Sequence, residues 1–191
     1  MGLGAREYFT RIYEEKEDPW NYETSEYEAG KYKASLRALP RAEYESGLEI
    51  GCSIGVFTAM LAQRCKRLLS LDVSPAALAK AEQRCRAYPN VRFEVIAVPE
   101  EYPAEVFDLT VLSEVGYYLS FEDLAKLSEK IWNHTVPSGH LLLVHWLPAV
   151  PEYPLRGDDV HGHFLSQQGW DRISQARSDL YRIDVLQRQP S

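Results

Sequence analysis

Leu48-Glu49-Ile50-Gly51-Cys52-Ser53-Ile54-Gly55 decides how this chain folds. A short apolar run enters two glycines four positions apart, and helix-forming residues follow. Glycine adopts left-handed backbone freely and lets a ligand approach the main chain, while the helix start beyond favours an anionic group. Strand, turn and helix in that order suit an adenosine-type cofactor. A dinucleotide fingerprint would place glycines at 51, 53 and 56, where Ser53 and Val56 break the pattern. No Gly-Lys-Ser/Thr occurs, so a phosphate-binding P-loop is excluded as well. Asp72 follows at the end of the next apolar run, where a carboxylate about 20 residues beyond the first glycine can accept both hydroxyls of a ribose.

Outward from this motif, apolar runs alternate with helical stretches. Strands are expected at 47–50, 67–71, 91–98, 107–113, 140–146 and 180–187. Helices are expected at 55–65, from the Ser74-Pro75 start to about residue 86, and from the Ser120 cap to about 134. Pro137-Ser138-Gly139 reads as the turn into the 140–146 strand. The prolines at 148, 151 and 154 with Gly157 suggest a loop to about 165, and a short helix is expected near 166–175. Before the motif, 5–15 has helical spacing, and Ser25 with Glu28 makes a capping-box pair for a helix that Pro40 ends. Strands alternating with helices indicate an α/β doubly wound, mostly parallel sheet covered on both faces.

Composition narrows the function. The 191 residues fit one domain, with 45% apolar and 26% charged types and no biased tract. Twenty-one Lys plus Arg against 28 Asp plus Glu give −7 and no basic run, which disfavours nucleic acid. No apolar stretch approaches the roughly 20 residues of a membrane helix. Cys52, Cys65 and Cys85 are odd in number and too few for a disulfide framework, and residues 1–17 lack a secretory apolar block. The expected location is therefore the cytoplasm.

With Leu71-Asp72-Val73-Ser74, the Glu49-to-Gly55 motif resembles the S-adenosylmethionine-dependent methyltransferases of the Rossmann-like class. The chain is more closely similar to the nodulation protein S family, which N-methylates amino sugars. That likeness covers roughly 15–145 and rests on Asp18-Pro19-Trp20-Asn21-Tyr22, Ser25-Glu26-Tyr27-Glu28 with Lys31-Tyr32, Phe107-Asp108-Leu109 and Ser113-Glu114-Val115-Gly116-Tyr117-Tyr118-Leu119. It implies one methyltransferase domain over 1–191, with capping helices in 1–40 and a Rossmann-like core over 47–191. The sheet would have seven strands, the last antiparallel, and S-adenosyl-L-methionine would bind at the carboxyl ends of strands one and two.

By this resemblance the turn with Glu49, Gly51, Cys52 and Gly55 wraps the methionine and ribose portions, Asp72 with Val73 holds the ribose, and Ala97 and Val98 pack beside the adenine. Lys31 or Tyr27 would reach the methionine carboxylate, and Trp20 with Tyr22 would form an aromatic lid over the sulfonium. Glu114 and Tyr117, at the end of the fourth strand, are the expected groups at the methyl-transfer site. Glu114, a nearby tyrosine, or a histidine, His145 or His161, would orient the acceptor and take or relay its proton; histidine is a candidate because it titrates near neutral pH. Asp158, Asp159, His161 and His163 have the residue types of a metal site, but methyl transfer to an amine needs no metal and none is expected. The function so implied is methyl transfer to a small-molecule acceptor, an amine resembling an amino sugar. The alternatives are O-methylation of a small hydroxylated metabolite and non-catalytic binding of S-adenosylmethionine. The sequence leaves the oligomeric state open.

Overall fold

In the computed structural model, which describes residues 3–190, the Gly-rich motif leaves the middle of a seven-stranded sheet. Positions 1, 2 and 191, the ends of the expected 1–191 domain, lie outside the described residues. The strands are β1 (Gly47–Ile50), β2 (Leu68–Asp72), β3 (Val91–Val95), β4 (Phe107–Ser113), β5 (Thr135–Trp146), β6 (Trp170–Arg177) and β7 (Tyr181–Arg188). Their order is β3-β2-β1-β4-β5-β7-β6, parallel from β3 through β5, with β7 antiparallel to both β5 and β6. All residues of β1 and β2 are buried, as strands covered on both faces must be.

The helices are α1 (Leu3–Glu15), α2 (Glu26–Ala38), α3 (Val56–Leu61), α4 (Pro75–Arg84), α5 (Phe121–His134) and α6 (Gly157–Leu165), with a 3-10 turn at Gly116–Tyr118. Alternate residues along each strand feed opposite cores. Leu141 and Leu143 pack with Leu124, Leu127 and Ile131 of α5 and with Phe164 of α6. Leu142 and Val144 pack on the other face with Tyr32 of α2 and Phe57 and Leu61 of α3. The strand order reverses between β1 and β4, and the carboxyl ends of strands at such a reversal are where open α/β sheets bind ligands.

Four expected elements differ. The loop expected to run to about 165 contains α6, whose buried Gly157, Val160, His161 and Phe164 recur at helical spacing; the Asp159 carboxylate accepts the Arg156 backbone N–H and starts the helix. The helix expected at 166–175 is instead β6. A register shift between Arg172 and Ser174 leaves Ile173 exposed, which breaks the alternation that marks a strand. Pro137-Ser138-Gly139 lies inside β5 as an irregularity in its pairing with β4. Strand β3 ends at Val95, short of the expected 98: the Ile96 N–H still reaches the Asp72 carbonyl of β2, but the Ala97 N–H goes to the Glu101 carboxylate.

Candidate functional site

The turn after β1 is fixed from beneath. Glu49, fully buried, accepts hydrogen bonds from Thr58 and Ser70 at 2.6 and 2.8 Å, tying the strand to α3 and β2. Burial pushes its carboxyl up to about 7 against those two donors. Gly51 takes φ +83°, and a Cβ there would stand 2.1 Å from Val115. Asp72 receives the backbone N–H of Ser53 on one carboxylate oxygen and that of Ser74 on the other, both at 2.9 Å. Burial raises its carboxyl above the usual range, with these amides opposing.

Above the turn lies a cavity with about 600 Å³ of empty space, part of it open to solvent. Gly51, Ser53 and Asp72 form one end, and Val73, Ile96 and Val98 an apolar side. Phe9, Tyr13, Trp20, Tyr22 and Tyr118 crowd the remainder. Helix α1 and the loop after it close it physically: Tyr13 of α1 donates to the Ser53 hydroxyl at 2.6 Å.

Glu114 stands where this cavity meets a second one of about 740 Å³. Its backbone is left-handed, at φ +56°, a costly conformation for a side chain with a Cβ and one that clusters at functional sites. Three donors converge on its carboxylate: the Lys31 ammonium at 2.6 Å on one oxygen, and the Tyr117 hydroxyl at 2.6 Å and Trp146 N–H at 3.0 Å on the other. Lys31 is also 3.0 Å from Glu28. Burial works against its charge, yet Glu114 and Glu28 hold its pKa above the ordinary value. Tyr27, Trp146 and Tyr153 complete the aromatic walls, with Tyr153 stacked on Tyr117 at 5.0 Å.

The structure thus gathers Trp20, Gly51, Asp72, Val73, Val98 and Glu114 at the first cavity. It places Tyr27, Lys31 and Tyr117 at the second, so Lys31 is held between two carboxylates rather than free for a third. Cys52 is buried beneath the turn with its thiol toward the Ser53 carbonyl, and Gly55 packs on Ala81 of α4. Ala97 lies beside the first cavity while its flanking residues Ile96 and Val98 line it.

The largest correction concerns the histidines. His145 and His161 are fully buried behind the 3-10 turn and line neither cavity. Gly116 N–H donates to His145 Nε2 at 3.2 Å, His145 Nδ1 meets His161 Nε2 at 3.2 Å, and His161 Nδ1 meets Asp184 at 2.6 Å. With every ring nitrogen engaged, neither can collect a proton from a ligand. Asp158 pairs with Arg177 and Arg182, and His163 with Ser128, so the four candidate metal-ligating residues disperse. Sequence reasoning missed Phe9, Tyr13, Ile96 and Tyr153, brought in only by tertiary packing, and Glu28, which it assigned to a helix cap.

Known proteins resemble this chain in sequence and fold. Among solved structures, N-methyltransferase NodS from Bradyrhizobium japonicum WM9, in complex with S-adenosyl-L-homocysteine, superposes with a TM-score of 0.84 at 25% identity, over 94% of this chain and 97% of that one. Nodulation protein S of Sinorhizobium fredii (strain NBRC 101917 / NGR234) is 36% identical over 130 residues, 66% of this chain and 59% of that protein. Phosphoethanolamine N-methyltransferase 3 of Arabidopsis thaliana is 30% identical over 109 residues, 56% of this chain and 22% of that protein. The chain spans 54% to 59% of the length of the nodulation proteins S from Sinorhizobium, Bradyrhizobium and Rhizobium tropici that it matches. The model of the nodulation protein S (NodS) family matches residues 6–136, and with its Rossmann-like methyltransferase fold the chain belongs to that family.

Proposed function

We propose that this chain is an S-adenosylmethionine-dependent methyltransferase whose acceptor is the nitrogen of a small-molecule amine, in the manner of an amino sugar. One observation carries the reading: in a NodS-family chain, the Gly51-to-Ser53 turn, Asp72 and Glu114 surround a single cavity at the carboxyl ends of β1, β2 and β4. The residues present fit the cofactor. Asp72 accepts one backbone N–H per oxygen, and a carboxylate with about four lone-pair sites keeps capacity for two ribose hydroxyls. Val73, Ile96 and Val98 offer an apolar surface to a purine. When bound, the cofactor supplies a methyl group already activated on a sulfonium.

The protein's own part is alignment and exclusion of water. Trp20, Tyr22 and Tyr118 line both cavities, and their ring faces favour a cation at the junction. Glu114, fixed by three donors, places a negative charge there without being free to swing. We read the chain as one cytoplasmic domain capped by α1 and α2. Among the described residues no helix is long and apolar enough to cross a membrane. Calorimetry with S-adenosylhomocysteine, followed by label transfer from methyl-labelled S-adenosylmethionine to glucosamine and other small amines, tests the reading. Single-site binding and label on nitrogen are expected; absence of binding overturns it.

A further inference from the structure

The second cavity holds an unbalanced charge. Glu28, Lys31 and Glu114 meet there with side chains at most 13% exposed, and two carboxylates against one ammonium leave one negative charge. The other wall elements add no positive charge: the 3-10 turn contributes Tyr117 and Tyr118, β5 contributes Trp146, and the 150–153 segment contributes Tyr153. Asp18, from the loop before α2, adds a further negative influence on Glu28. His145, behind Tyr117, is held neutral by burial. Lys31 is thus the one cation lining the cavity among the described residues, and it is already shared by two carboxylates.

Glu28 is also not doing what its sequence position suggests. In the Ser25-to-Glu28 capping box, Ser25 accepts the Glu28 N–H, but the Ser25 N–H goes to the Asn21 carbonyl, so the Glu28 carboxylate has no part in the cap. It turns to Lys31 instead. One oxygen accepts a hydrogen bond; the other contacts the same ammonium without a directed bond and has no other donor, in a residue only 8% exposed. The neighbouring Tyr27 hydroxyl is buried without a hydrogen-bond partner. Tyr27 and Glu28, each with a buried polar atom lacking a hydrogen bond, thus line one aromatic-walled space that is short of a positive charge, which describes the complement of an ammonium ion.

We propose that this cavity seats the acceptor as a cationic amine and that Glu28 is its proton-accepting residue. The nitrogen enters as R–NH3+; one N–H bond breaks, the proton forms an O–H bond with the Glu28 oxygen that accepts no directed hydrogen bond, and the electron pair stays on nitrogen. The cluster with its ligand is neutral before and after this transfer. Burial raises the Glu28 carboxyl above its ordinary range even beside Lys31, in the direction the step requires. With Lys31 already paired, the cavity has no cation for a phosphate or carboxylate on the acceptor, so amines carrying such groups are rejected. This inference rests on the methyltransferase reading above.

The test begins with S-adenosylhomocysteine calorimetry on wild type and Glu28→Gln. Failure of both to bind counts against the methyltransferase reading, while equal binding leaves Glu28 alone at issue. Glucosamine and benzylamine are then titrated into the wild-type complex beside N-acetylglucosamine, benzyl alcohol and glucosamine 6-phosphate. An amine should bind at least about tenfold tighter than its neutral or phosphorylated counterpart; equal affinities, or no amine binding, overturn the proposal without any variant being needed. In transfer assays from pH 7 to 9, wild-type kcat/KM should stay nearly level below the amine's own pKa. That of Glu28→Gln should climb about tenfold per pH unit, since only free-base amine then reacts. Glu28→Asp should restore the level profile at reduced kcat, whereas parallel profiles in all three proteins overturn the assignment.

Discussion

Gly55 and Gly51 show how one glycine motif can be required for reasons other than a ligand. Gly55 takes φ +79°, and a Cβ there would stand 2.9 Å from both Cα and Cβ of Ala81, so the approach of α3 to α4 demands glycine. Gly55→Ala should therefore lower unfolding free energy by roughly 2–4 kcal/mol, from left-handed strain plus overpacking; an unchanged urea midpoint would mean that α4 yields freely. Asp72 faces the opposite situation, with a backbone N–H on each oxygen. An asparagine must turn its amide nitrogen toward one of those donors, so Asp72→Asn disturbs the turn as well as removing the charge. Affinity for S-adenosylhomocysteine should fall by about 1.5–3 kcal/mol, roughly ten- to a hundredfold, by calorimetry on protein with a native circular dichroism spectrum. Glu114 is constrained in the same way, since an amide there would set its nitrogen against Lys31 or against Tyr117 and Trp146. Substitution by glutamine is thus a change of shape as well as of charge, which the sequence alone does not disclose.

Helix α1 and the 16–25 segment are held over the cofactor cavity by a small aromatic cluster, Phe9 and Tyr13 on Ile54, Val73 and Ala77 with Trp20 and Tyr22 beside them, and by several polar contacts. Tyr13 reaches Ser53, Lys80 of α4 donates to the Tyr13 and Glu17 carbonyls, and Arg84 pairs with Glu23. A small cluster separate from the two main cores, with exposed polar bonds around it, marks an element of lower local stability than the sheet. Bound S-adenosylhomocysteine should slow backbone hydrogen exchange across 16–25 by filling the space beneath Trp20 and Tyr22; equal exchange with and without it would leave these elements as packing alone. The elements the sequence disclosed are those with clean local signals: the Ser74-Pro75 and Ser120 helix starts, β4 over its full length, and the alternation of strands and helices that places Asp72 beside Gly51. Helix α6 hid behind a proline cluster, although its buried residues recur at helical spacing. Strand β6 hid because the irregularity at Ile173 shifts its alternation. The site divides similarly: Gly51, Asp72 and Glu114 sit at strand ends that a pattern can locate, whereas Tyr13, Ile96 and Tyr153 arrive through packing that no local pattern encodes.

Buried titratable groups on the sheet decide how the folded state answers to pH. The Gly116 N–H makes His145 Nε2 an acceptor, so the bonding pattern puts a proton on Nδ1 of His145 and on Nδ1 of His161, which donates to Asp184. Burial lowers the pKa of both, and His140 beside Tyr44 is lowered from 6.5 to about 4. A histidine held neutral contributes stability that is full above about 6.5 and is lost as pH falls, because the unfolded chain takes up the proton first. Glu49 works in the opposite sense. Its carboxyl moves from 4.5 to about 7, so it remains protonated in the folded state across a range where the unfolded chain has ionised it. Its contribution is full below 4.5 and disappears as pH rises through 7, a change of about 3 kcal/mol for a fully buried group. Between pH 4.5 and 6.5 the two effects oppose, but three histidines outweigh one carboxylate, so wild-type stability should rise with pH there, less steeply than the histidines alone would make it. Glu49→Gln presents the same acceptor oxygen to Thr58 and Ser70 but cannot ionise, so the histidine dependence should stand uncovered. Urea unfolding from pH 5 to 8 should show the variant gaining on wild type as pH rises, by about 2–3 kcal/mol over the range. Two parallel curves would mean that Glu49 is already ionised in the folded protein at pH 5, with Thr58 and Ser70 solvating the charge well enough to cancel its burial.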